Sequence, residues 1–364
     1  MSEEDEMQNT GTKSTLKIVE MESSRVPSPL PCAVLLPPGY DPKGDPYPLC
    51  LNLHGGGASH EFLIDSQPDF DAIWGDGSCV PMVVVTPRTS TQSFYFDDPG
   101  GDQWETFVVE EVPAYMAAHF NVRTDRGGTV MTGASMGGYG TLKLAFRRPD
   151  RYCAIAALEP GIEPGTSPGE CAPRSRIMSM MVQGPAAKAV CPTADEKVYR
   201  ENSPAAILME NADAIRSSGL RIYLECGDHD AINLHDGTEY LHRLLWDLDV
   251  SHEYRLIQGA DHVGPSLRAR NREALRFLSE AMTKAGKVDA APVLDEATRA
   301  WMEWSGTGMK GEGPPMDLWS EEAAAATRLL MEPVKEAIAA EDPTVRRRYG
   351  ILPATGVPRQ RGGE

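Results

Sequence analysis

The chain lacks several things. No apolar run among its 364 residues approaches the roughly 20 needed to cross a bilayer as a helix. No glycine-rich phosphate loop ending in Gly-Lys-Ser/Thr is present, and no dinucleotide fingerprint follows a strand, so a nucleotide-using enzyme is not expected. Basic residues are in deficit, 35 Lys and Arg against 53 Asp and Glu. The resulting net charge of −18 argues against nucleic acid and anionic membrane as partners. The seven cysteines are odd in number and lack close spacing, which argues against a disulfide framework or a zinc site. Only Cys171 and Cys191, in a polar irregular stretch, offer themselves as a bridge. The acidic start Met1-Ser2-Glu3-Glu4 lacks the basic and apolar regions of a signal peptide, so a cytoplasmic protein, or a trimmed mature form, is expected.

What is present is an alternation of strand-like and helix-like runs. Residues 1–28 read as a polar lead-in. Strands are expected at Cys32–Leu36, Leu49–Leu53, Met82–Thr86, Thr129–Thr132, Cys153–Leu158, Leu220–Cys226 and Glu253–Gln258. Several are almost continuously apolar, as parallel strands buried on both faces must be. Between them Leu241, Leu244, Leu245 and Leu248 share a helical face, as do Ala274, Leu275, Leu278 and Met282. Val108, Val112, Tyr115 and Met116 share another, which Pro113 should kink or restart. This rhythm predicts an α/β fold over residues 29–284, a mostly parallel sheet with helices on both faces. Residues 159–202, rich in Pro, Gly, Met and Ser, interrupt it where a cap or lid would be inserted. Residues 285–364 read as a helical C-terminal extension with a flexible end. Its Trp301, Trp304 and Trp319 need an apolar surface, on the same subunit or across a homodimer.

The chemistry centres on Gly133-Ala134-Ser135-Met136-Gly137, a G-x-S-x-G run entered by a strand and left by a helix. That context makes a nucleophile elbow of the α/β-hydrolase type, with the serine hydroxyl standing proud of the sheet. A serine needs a base, an acid to orient that base, and donors for an oxyanion. The base is His262, placed after the last strand. His229, His235, His242 and His252 are the alternatives. Asp228 and Asp230, just past the preceding strand, compete for the acid, and Asp261 reads as a loop-fixing carboxylate. Leu51-Asn52-Leu53-His54-Gly55-Gly56-Gly57 is a strand ending in the HGGG pattern of esterase oxyanion loops. The expected donors are the backbone N–H groups of Gly56 and Met136. His54, Gly55, Trp104 and Glu159 are candidate pocket residues, with Asp102 and Phe94-Tyr95-Phe96 nearby. Glu159 either reads a cationic or hydroxyl-rich substrate group or pairs with an arginine such as Arg174.

The stretches LNLHGGG (51–57), ETFVVEEVPAYM (105–116), TGASMGGYGTLKLAFRRPDRY (132–152), LECGDHD (224–230) and EYRLIQGADH (253–262) together resemble the putative-esterase family of α/β-hydrolases. That family includes esterase D, the feruloyl and acetylxylan esterases of carbohydrate esterase family 1, and the antigen 85 mycolyltransferases. The resemblance covers about residues 30–282. It implies Asp230 as the acid and hydrolysis of a small-molecule carboxylic ester or thioester through an acyl-enzyme on Ser135, without metal or organic cofactor. Peptidase or amidase action, acyl transfer, and a non-catalytic binding module are the alternatives. Glu159, where family members often carry a small or hydroxyl residue, the insert and the tail depart from the pattern.

Overall fold

Runs of aliphatic and β-branched residues with no polar alternation form the middle of a sheet here, because both faces are covered. The computed structural model describes residues 13–166, 170–175, 177–191 and 195–284, with positions 299–300, 303–304, 310–311 and 329. The strands are β1 (Thr15–Met21), β2 (Leu30–Leu36), β3 (Leu49–Leu53), β4 (Val83–Pro87), β5 (Thr129–Ala134), β6 (Ala154–Leu158), β7 (Arg221–Gly227) and β8 (Glu253–Ile257). They form one sheet in the order β1-β2-β4-β3-β5-β6-β7-β8. The pairs from β4 through β8 are parallel, and β1 and β2 add antiparallel partners at one edge. Every residue of β3, β4, β5 and β6 is buried.

Helices Phe62–Gly75 and Pro265–Lys284 close one face over a core that includes Leu63, Phe70, Val84, Val130, Leu275 and Leu278. Helices Met136–Arg147 and Pro204–Ser218 pack together on the opposite face. The α/β class and the mostly parallel sheet are therefore as the pattern predicts. Among the described residues no helix is long and apolar enough to cross a membrane.

Two local readings change, and a third holds. The expected lead-in of residues 1–28 contains β1, whose sequence TLKIVEM mixes charge with aliphatics. An edge strand pairs on one side only, so Ile18 can stay 48% exposed while Met21 is buried. Cys171 and Cys191 are not bridged: all seven cysteines are free and buried. Pro113 does restart its helix. A π-helical turn at Phe107–Glu111 precedes Val112–His119, because a proline has no N–H to continue the i→i−4 ladder.

The chain divides into two compact units, one of Met1–Leu245 with Val250–Ala285, the other of Trp246–Asp249 with Gly286–Glu364. All eight strands belong to the first. In the second, Trp304 Nε1 donates to the Gly311 carbonyl at 3.3 Å. Trp301, Trp319 and nearly all of the expected extension, with its homodimer surface, lie outside the described residues.

Candidate active site

Ser135 joins β5 to helix Met136–Arg147 with φ 55° and ψ −117°, a strained conformation at the carboxyl edge of the sheet. The flanking glycines make the turn possible. A Cβ on Gly133 would come within 2.6 Å of the Gly137 backbone, and one on Gly137 would strike the Leu53 carbonyl. The elbow and the end of β3 are thus pressed together, which brings the HGGG loop beside the serine.

His262 follows β8. Its Nδ1 donates to Asp230 Oδ2 at 2.9 Å, leaving Nε2 free to accept from the Ser135 hydroxyl at 3.2 Å. Burial disfavours the imidazolium. The Asp230 hydrogen bond and the charges of Glu159 and Asp230 outweigh it, and the His262 pKa lies above its ordinary value. Burial likewise opposes an ionised Asp230, but the bond and charge of His262 and the Ile232 N–H hold it below the usual carboxylate range. Asp228 is directed elsewhere: it accepts from the Gly259 N–H at 2.6 Å and ties the two site loops together. Asp261 does the same through the N–H groups of Ala231 and His262. Of the other histidines, His242 and His252 bond each other at 2.8 Å, and His235 lies 3.8 Å from Asp236.

Met136 is the first residue of its helix, so its N–H has no intrahelical acceptor. A Cβ on Gly55 would lie 3.7 Å from Ser135 Cβ, and one on Gly56 4.0 Å from Met136 Cβ. Both glycines therefore border the nucleophile. The loop is braced from behind. Tyr95 donates its hydroxyl to the His54 carbonyl at 2.9 Å, and Gly57 donates its N–H to Thr91. Phe94 and Tyr95 both have positive φ, 43° and 51°. Lys143, wholly buried and paired with Glu105, holds that turn by donating to the Tyr95 carbonyl at 2.7 Å.

A cavity of about 490 Å³ opens over Ser135 and His262. Phe94, Met178, Met181, Val182, Ile232 and Val263 give it apolar walls, and the insert 159–202 supplies three of them. Gln92 fastens the insert through the Met181 carbonyl and the Gln183 N–H.

Two expected pocket residues are not there. His54 is fully buried, with Nδ1 on the Gly55 carbonyl and Nε2 on Thr89; burial pushes its pKa down to about 4, and it braces the loop as a neutral ring. Trp104 packs edge-on against Phe107, 6.3 Å between centroids, inside the first turn of its helix and away from the cavity. Gly55, Gly56, Met136 and Phe94 do line it.

Glu159 touches the cavity with 1% of its surface exposed, so it is not free to read a substrate group from solvent. Its carboxylate accepts from Arg270 Nη1 at 2.6 Å; the side chain of Arg174 lies outside those described. The same nitrogen reaches Glu225 at 3.3 Å, and Nη2 donates to the Asp261 carbonyl at 3.0 Å. Burial pushes Glu159 up to about 7 and Glu225 up to about 8 against the pull of Arg270. The sequence reading missed both Arg270 and Glu225. Arg270 stands among Arg268, Arg272 and Arg276, which have side chains 54%, 37% and 33% exposed, so nothing in the spacing marks it as the buried one.

Residues 23–272 match the sequence model of the family described as Putative esterase. Esterase Rv1288 of Mycobacterium tuberculosis (strain H37Rv) is 32% identical over 128 residues, 34% of this chain and 27% of that protein. The MPT51/MPB51 antigen of the same strain is 30% identical over 146 residues, 38% of this chain and 44% of that protein. The chain thus spans between about a quarter and under half of these curated relatives. Among solved structures, a ferulic acid esterase superposes with TM-score 0.61 at 22% identity, over 74% of this chain and 99% of that one. An S-formylglutathione hydrolase from Agrobacterium tumefaciens superposes with TM-score 0.60 at 20% identity, over 76% and 98%. At these identities the likeness establishes the shared fold.

Proposed function

Since the chain belongs to the putative-esterase family of α/β-hydrolases, we propose that it hydrolyses a small carboxylic ester or thioester through an acyl-enzyme on Ser135. The observation that carries this reading is the continuous hydrogen-bonded run from Ser135 Oγ through His262 to Asp230.

In the proposed cycle His262 Nε2 takes the Ser135 proton as Oγ attacks the carbonyl carbon. Asp230 holds the tautomer and stabilises the imidazolium. The Met136 and Gly56 N–H groups receive the oxyanion. His262 then protonates the leaving alcohol or thiol, and later deprotonates the water that releases the acid. The walls of Phe94, Met178, Met181 and Val182 favour an apolar acyl or aryl group over a charged one. The ferulic acid esterase and the S-formylglutathione hydrolase of like fold suggest which esters to try first.

The test is hydrolysis of short- and long-acyl aryl esters beside feruloyl, acetyl-sugar and thioester substrates, with fluorophosphonate labelling of Ser135. Turnover of at least one ester with labelling lost in Ser135→Ala supports the reading. No turnover and no labelling of folded protein overturns it.

A further inference from the structure

Two carboxylates, not one, surround the imidazole of His262. Glu159 stands at the end of β6, between the elbow that ends β5 and the Asp230 loop that follows β7. One oxygen of Glu159, one of Asp230 and one ring nitrogen of His262 lie within 4.8 Å of one another. The backbone is strained to achieve this. Glu159 has φ 37°, a conformation that side-chain-bearing residues adopt only when their surroundings compel it. Here its N–H donates to the Glu225 carbonyl at 2.7 Å while Arg270 clamps its carboxylate.

The charge count favours an electrostatic role. Arg270 carries one positive charge for two buried carboxylates, Glu159 and Glu225. Burial pushes Glu159 up to about 7 and Glu225 up to about 8, so the pair keeps a proton near neutral pH; as the pH rises past those values one negative charge is left over beside the group that becomes cationic when it takes the serine proton. The groups facing His262 are Ser135 from the elbow, Glu159 from the end of β6 and Asp230 from the β7 loop. Arg270 faces it from the following helix, and Asp261 from its own loop.

We propose that Glu159 is a second acid for His262, a positioning residue that stabilises the imidazolium beside Asp230 and sustains turnover when the Asp230 carboxylate is removed. The inference rests on the serine-hydrolase reading of the same site. No new bond is required: the proton passes from Ser135 Oγ to His262 Nε2, Oγ bonds the carbonyl carbon, and Glu159 acts only through its charge.

The experiment is a double-mutant cycle on an aryl acetate with full pH profiles. Loss of a lone triad acid costs about 10⁴-fold in kcat. Asp230→Ala is expected to cost only about 10²-fold, with Glu159→Gln on top of it removing about another 10²-fold, while Glu159→Gln alone costs less than about 10-fold. Glu159→Gln alone should also move the acid limb of kcat/KM to lower pH, because His262 loses an anion that favours its protonated form. An equal small factor in both backgrounds with an unmoved acid limb would make Glu159 merely structural and overturn the proposal. Should Glu159→Gln not fold, Glu159→Asp in the Asp230→Ala background withdraws the charge by one methylene and should cost about 10-fold; no loss overturns it. Wild-type protein that turns over no ester and resists fluorophosphonate at Ser135 fails the underlying reading, a result distinct from an unmoved cycle in an active enzyme, and the proposal falls with it.

Discussion

Arg270 holds the main-chain oxygen of Asp261 at 3.0 Å, fixing the loop one residue before His262. Its other terminal nitrogen donates to Glu159 at 2.6 Å, so one buried guanidinium serves both the loop and the carboxylate. Replacing it with Met should cost about 3–5 kcal/mol, because two buried carboxylates lose their counter-charge. Urea unfolding would measure this, and a loss under about 1 kcal/mol would deny Arg270 that role.

The pH dependence of stability has a definite sign. Glu159 rises from an ordinary 4.5 to about 7 and Glu225 to about 8 in the fold. Between those values the native state keeps protons that the unfolded chain has released, so stability falls as pH rises. His262, also raised, adds in the same direction: its contribution is complete below its ordinary 6.5 and disappears above its folded value. Asp230, held low, acts the other way only in acid. His54, pushed down to about 4, works the other way below its ordinary 6.5, so the urea midpoint should drop from pH 6.5 to pH 8, with a shallower drop in Glu159→Gln. A midpoint that climbs over this range contradicts the buried cluster.

Ser135→Ala and His262→Ala should each lower kcat by about 10³-fold or more, and the double variant by little beyond either single. Multiplying losses in the double variant would mean that the two residues do not act as a unit.

Gly137→Ala should cost about 1–3 kcal/mol and more than about 10-fold in kcat, since the added carbon meets the Leu53 carbonyl and pushes the elbow from the oxyanion loop. Gly57→Ala, a glycine with open space but φ 74°, tests backbone strain without that collision. Melting temperature and kcat measured on both separate the two effects.

The insert sets the cavity wall, so Met178→Trp should lower kcat/KM for long-acyl aryl esters by about 10-fold while sparing acetate. Equal losses on both would show that the side chain shapes the whole site instead of its far end.

How much of this was legible in the sequence follows from the range of the interactions. Ser135, Asp230 and His262 each lie just past the end of a strand, and strand ends can be read from local apolar runs. The choice between Asp230 and Asp228 was not local; it came from resemblance, and the geometry turns Asp228 onto Gly259. β1 was missed because an edge strand needs apolar residues on only part of its surface. His54 and Trp104 were misplaced because loop and aromatic residues near a site look alike in sequence whether they line or support it. Arg270 was invisible, since only the packing of its helix decides which of four arginines turns inward.

The seven thiols described above offer a last consequence. All are buried, and burial pushes Cys32 and Cys79 up to about 12. A thiol-reactive dye should thus leave native molecules unmarked and stain a molecule only once it has opened. Because Cys32, Cys79, Cys153 and Cys226 sit in different parts of the sheet and its covering layer, the order in which they acquire dye would trace the sequence in which the fold comes apart.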